Sequence, residues 1–152
     1  MVPIDLRDKL YRLFLDGITS KKEPDWDQLP AQAKPAQLEY LADRIPRYKA
    51  VLEAWRANPK EDSPINEALA LSELLFNQGL FFDCHEYLES AWKSSPEPWK
   101  TCFQGLIQIA AGFHKLELNP DATVGALELL EKGLAKLIKT QASLGTETVN
   151  SI

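Results

Sequence analysis

Four breaks in the hydrophobic pattern constrain this chain more than any other feature. They are Ser63-Pro64, Asn77-Gln78-Gly79, Ser94-Ser95-Pro96-Glu97-Pro98 and Asn119-Pro120. Each combines helix start or stop signals: a side chain able to cap free backbone N–H groups, a proline whose missing N–H is harmless in a first turn, or a glycine free to turn left-handed. Between the breaks, apolar residues recur at helical spacing. Ala68, Leu71, Leu75 and Phe76 line the first segment and Ala126, Leu130, Leu134 and Leu137 the last, while no segment alternates as a turn-bounded strand would. Links this short make successive helices antiparallel neighbours.

Upstream, Leu6, Leu10, Leu13, Phe14 and Ile18 predict an amphipathic helix from about Pro3 to Ile18. Pro24, Pro30 and Pro35 then mark an irregular connection, with Trp26 expected to pin it to the core. A helix starts again at Ala36 and runs through Leu38, Leu41 and Ile45. Pro46 is expected to kink or restart it before Tyr48, Val51, Leu52 and Trp55. The expected fold class is all-α, a compact antiparallel bundle of six or seven helices in one domain. Residues 1–62 form an N-terminal helical extension packed on the bundle, 63–144 the core and 145–152 a short polar tail.

With 152 residues the chain can bury a core without disulfide or metal staples. A net charge of -5, with no Lys/Arg cluster, argues against a nucleic-acid partner. The longest apolar run, 106–113, contains Gln108 and is too short to cross a bilayer, so no membrane partner is expected. The opening M-V-P-I-D-L-R-D-K lacks the features of a signal peptide, which points to a cytoplasmic protein. Cys84 and Cys102 then stay reduced and read as small core residues.

The chemistry-bearing residues concentrate between Phe76 and Leu118, which hold both histidines and both cysteines. On a helical wheel Phe81, His85, Leu88, Glu89 and Trp92 fall in a sector of roughly 100°. That places His85 and Glu89 on the buried stripe, with Asp83 and Ser90 turned away and Glu86 at its edge. In the next segment His114 shares a face with Phe103, Ile107 and Ala110, while Gln104 and Gln108 share another with Gly105 and Gly112. Small residues at Gly105, Ala111 and Gly112 admit either a close backbone or a ligand.

Imidazole and carboxylate one helical turn apart suit zinc, iron or manganese, so His85, Glu89 and His114 form the candidate divalent-metal set. The wider candidate ligand-binding set adds Glu86, Gln104, Gln108, Trp92 and Asn77, for a small polar molecule. The alternative is a structural or interaction module in which the same buried cluster only fixes packing. Gly125-Ala126 and Gly133 form a close-packing seam that can face another subunit, which brings in a homodimer. These residues name no reaction.

The run F76-N-Q-G-L-F-F-D-C-H-E-Y-L-E-S-A-W92, then F103-Q-G-L-I-Q-I-A-A-G-F-H114 and N119-P-D-A-T-V-G-A-L127, closely resembles the family called domain of unknown function 309. The resemblance covers about Ala68 to Leu137. It implies a small all-helical bundle, in a family without an established activity. Its motif residues map here to Phe76, Asn77, Gly79, His85, Glu86, Glu89, Trp92, Gln104, Gly105, Gln108 and His114, with Asn119, Gly125 and Ala126 beyond them.

Overall fold

The structure is a computed structural model that describes residues 4–151, with side chains described for 5–144. Pro3 and Ile152 lie outside the described residues. Seven helices, and no strand, make up these residues: α1 (Ile4–Ser20), α2 (Gln28–Gln32), α3 (Pro35–Ala57), α4 (Pro64–Asn77), α5 (Phe81–Ser94), α6 (Trp99–Leu118) and α7 (Thr123–Ser151). The all-α reading is borne out. The backbone of α7 stays helical through 145–151, where the sequence suggests a short polar tail.

Local chemistry accounts for the boundaries. Ser63 Oγ accepts the Asn66 N–H at 3.1 Å, with Pro64 behind it in the first turn of α4. At the other end of α4 the Gly79 N–H donates to Phe76 O at 2.9 Å and the Leu80 N–H to Leu75 O at 3.0 Å. This crossed pair is the left-handed helix stop, and Gly79 adopts φ 71° to make it. Gly79→Ala is expected to lower stability by roughly 1–2 kcal/mol, the cost of a Cβ in that conformation, read as a lower denaturant midpoint at unchanged slope. An unchanged midpoint would show that the turn does not need its glycine.

Of the two outcomes expected of Pro46, the restart does not occur. The proline neither restarts the helix nor ends it, and α3 runs unbroken from Pro35 to Ala57. Pro46 and Ala42, the residue four positions back whose carbonyl loses its helical donor, are both exposed. Water can satisfy that carbonyl, so the ring's cost is met on the solvent side.

Helices adjacent in sequence pack together: α3 against α4, α4 against α5, and α6 between α5 and α7, with α1 and α2 on α3. One core runs through α1 to α6, built on Leu10 and Phe14 of α1, Leu41, Tyr48 and Leu52 of α3, Leu71 and Leu75 of α4, Leu80 and Leu88, and Phe103. The N-terminal helices therefore contribute to the same core as the segment they cover. Trp26 is buried, stacks on Tyr48 at 5.6 Å and donates from Nε1 to Glu23 at 2.9 Å. That anchors the irregular connection.

The glycine seam lies inside the molecule. A Cβ on Gly105 would sit 2.8 Å from the Gly133 carbonyl, and one on Gly112 3.2 Å from the Ala126 carbonyl. Gly105, Gly112, Ala126 and Gly133 thus bring α6 and α7 into backbone contact. The face proposed from sequence for a second subunit is occupied by this chain's own α6.

Candidate functional site

The orientation of α5 decides which of its polar residues can do chemistry. Its buried residues are Asp83, Cys84 and Leu88. Together with buried Leu80 just ahead of the helix, they place the core-facing side roughly 100° from the sector inferred on the wheel. Phe81 and Trp92, which pulled the inferred face towards His85, are only half-buried. His85 and Glu89 accordingly stand at the rim, with side chains 26% and 42% exposed. Asp83, assigned to the solvent side from sequence, is in the core.

At that rim the three polar side chains converge. His85 Nδ1 lies 3.5 Å from Glu86 Oε1 and His85 Nε2 lies 3.7 Å from Glu89 Oε1. One ligand atom from each of the three falls within 4.8 Å of the others. Glu86 is therefore a full member of the group. The imidazole is bracketed by carboxylates, one on each nitrogen.

The other candidates go elsewhere. His114 is not in that group: its ring packs on Phe82 at 5.5 Å between centroids and its Nδ1 lies 3.9 Å from Glu117 Oε1. Phe82 also stacks on His85 at 6.5 Å, so this phenyl ring contacts both imidazoles. Gln108 accepts from Lys136 Nζ at 2.7 Å and belongs to the α6–α7 contact. Gln104 is half-buried next to Gly105, on the same side of α6. Asn77 is exposed at the end of α4. Trp92 packs on the core margin with the Lys100 ammonium 5.4 Å from its ring centre. Both cysteines are buried and free, and burial, helped by Asp83, pushes the Cys84 thiol up to about 12.

A second polar assembly lies deeper, between α1, α3, α5 and α6. Tyr48 donates a very short hydrogen bond to Asp83 Oδ2. Burial raises the Asp83 carboxyl to about 7, against the lowering influence of Tyr48, Arg44 and Arg7. Tyr48 and Tyr11 are in turn held well above the ordinary phenol range, first by burial and then by the Asp83 charge. Arg44 Nη2 pairs with Glu117 at 2.9 Å, and its Nη1 reaches the Gly79 carbonyl at 3.4 Å. Burial works to raise Glu117, but His114 and Arg44 outweigh it and leave the carboxyl below its ordinary value. The Arg7 guanidinium lies 3.5 Å from the centre of the Phe82 ring. Phe82 thus contacts both Arg7 of the inner assembly and His85.

Sequence reasoning missed Asp83, Arg44, Glu117 and Phe82. Asp83 sits in the first turn of α5, where an acid is ordinarily explained by the helix dipole. A usable signal was present in its position one residue before Cys84 and five before Leu88, on their side of the wheel.

An apolar groove of about 340 Å³ opens between α4, α5 and α6, lined by Leu69, Phe76, Cys84, Leu88, Leu106 and Ile109 among others. None of the His, Glu or Gln candidates lines it. The polar residues and the groove therefore do not make one pocket. No helix among the described residues is long and apolar enough to cross a membrane.

No curated protein and no solved structure matches the chain. Residues 69–127, from α4 into the first turns of α7, match the family described as Domain of unknown function (DUF309), which bears out the resemblance drawn from these residues.

Proposed function

We propose that the His85, Glu86 and Glu89 face of α5 binds a divalent transition-metal ion, of the zinc, manganese or iron type. The observation that carries this reading is the convergence of three donor atoms within 4.8 Å on one helix face. Ligand atoms about 2.1 Å from a tetrahedral ion stand roughly 3.4 Å apart, close to the 3.7 Å between His85 Nε2 and Glu89 Oε1. One ion can take only one imidazole nitrogen. With Nε2 and Glu89 as ligands, Glu86 is left beside Nδ1 to accept its proton, fix the tautomer and orient the ring.

Mixed nitrogen and carboxylate donors suit these metals, and so few protein ligands leave positions for water. An ion held so openly supplies Lewis-acid chemistry of the kind used in metal-assisted hydrolysis. The competing reading, a cluster that only fixes packing, needs buried side chains. His85, Glu86 and Glu89 are 26%, 38% and 42% exposed, whereas the buried polar packing in this molecule belongs to Asp83 and Tyr48.

The test is calorimetric titration of untagged, chelator-treated protein with zinc and manganese. One ion per chain is expected. Glu86→Gln should weaken it by roughly 10–100-fold, and His85→Ala or Glu89→Gln should weaken it further. Because these side chains lie at the surface, their removal should change stability by less than about 1 kcal/mol. Wild-type protein that takes up neither metal, or a His85→Ala protein that binds as well as wild type, would remove the proposal.

A further inference from the structure

The side of α7 turned away from α6 carries an apolar stripe with no partner among the described residues. Val124, Leu127, Leu134 and Ile138 are each more than half exposed. Their steps of three, seven and four residues are the heptad seam spacing, with Glu131 at the one intervening seam position. On the wheel they fall within roughly 80°, and that sector lies about 130° from the Ala126 and Gly133 side that meets α6. The stripe is therefore no by-product of the α6–α7 contact. Leu118, at the adjacent end of α6, is also more than half exposed.

The charges beside the stripe are polarised along the helix. Glu128 lies along its first half, Lys132 and Lys139 along its second, and all three are exposed. Against a parallel two-fold copy this flank would face the Leu130 and Leu137 flank of its partner, and its charges would find no opposite charge. Against an antiparallel copy, each Glu128 end lies along the Lys132 to Lys139 end of the other, and each Leu127 region covers a Leu134 to Ile138 region. A two-fold axis near Glu131 produces this match from one surface, the self-complementarity a closed dimer requires. Glu131 meets its own copy at the axis, as it would in a parallel pair, so the choice of orientation rests on Glu128, Lys132 and Lys139.

We infer that α7 is the interface of an antiparallel homodimer, the occupant of the stripe being the same helix of a second copy. Heptad spacing points to a helical partner, and the acid-to-base polarity identifies that partner as this helix reversed. The surface is distinct from the glycine seam, and the site on α5 plays no part in it.

Sedimentation equilibrium on the full chain tests this, with circular dichroism as a check on folding. Wild type should sediment as a dimer. Leu134→Glu should raise the dissociation constant by roughly 30-fold or more while leaving helix content and melting of the monomer unchanged, since the side chain is exposed in each copy. Glu128→Lys should weaken the dimer, and adding Lys132→Glu and Lys139→Glu to it should restore association. Wild type that stays monomeric, or a Leu134→Glu chain that dimerises as well as wild type, overturns the inference. A dimer that Glu128→Lys leaves untouched overturns the antiparallel arrangement.

Discussion

Asp83→Asn is expected to gain stability over wild type steadily as pH rises from about 4 to about 7, with a total difference on the order of 4 kcal/mol. The buried carboxyl keeps its proton to about 7 in the folded protein, against an ordinary value of 3.8 in the unfolded chain. Across that window the unfolded state binds fewer protons than the folded one. Wild-type stability from this group is therefore fully present below the lower value and is lost as pH climbs through the upper one. An asparagine keeps an oxygen for the Tyr48 hydroxyl but has no charge to desolvate. Glu117 and Glu23, both held below their ordinary values, lose stability in the opposite direction, on acidification, but they are common to the two chains and cancel in the difference. Urea unfolding of both proteins at pH 4, 6 and 8 would measure it. Parallel pH profiles would mean that Asp83 is as readily ionised folded as unfolded, and that the inner assembly is wrongly described.

The second large effect lies at the α6–α7 seam. Gly133→Ala is expected to destabilise by roughly 2–3 kcal/mol, although alanine is the better helix former by about 1 kcal/mol. The added methyl would fall 2.6 Å from the Gly105 carbonyl and 2.7 Å from Ile109 Cγ1. Neither is a flexible tip, so the helices must separate, and the overpacking outweighs the propensity gain. Gly125→Ala is the control on the same helix. Its methyl would meet only the long side chain of Lys115, which can swing away. A neutral effect or a gain of up to about 1 kcal/mol is expected there. Equal behaviour of the two alanines in thermal or urea unfolding would show that the seam has slack and that propensity alone governs α7.

Six of the seven helices were legible because their signals are local, whereas α2 falls in the stretch read from sequence as an irregular connection. Ser63-Pro64 and Gly79 act on backbone groups within a turn, so their roles could be read directly and appear in the structure as caps. The α6–α7 seam was half legible: the small residues were visible, but not which backbone they would meet. Whether Pro46 would restart the helix was not legible, because the outcome depends on whether the Ala42 carbonyl faces water, which is a property of the packed molecule. The group on α5 was legible in part: the His85 and Glu89 pair one helical turn apart could be read, but Glu86 was put at its edge and His114 was joined to it from another helix. Its depth was not legible.

That depth is the clearest case of a tertiary decision. Counting Phe81 and Trp92 as core anchors turned α5 towards His85, and the wheel then put Asp83 on the outward side. The structure rotates the helix the other way, and Tyr48, more than thirty residues upstream, supplies the hydroxyl that Asp83 accepts from in the core. Periodicity and capping, which act within a few residues, determined by themselves that this chain is a set of antiparallel helices. Only the packed structure decided which face of α5 is buried, that His114 pairs with Glu117, and that α7 spends its glycines on α6 while its leucines stay exposed. Burial and partnership are properties of residues far apart in the chain, and no local pattern carries them.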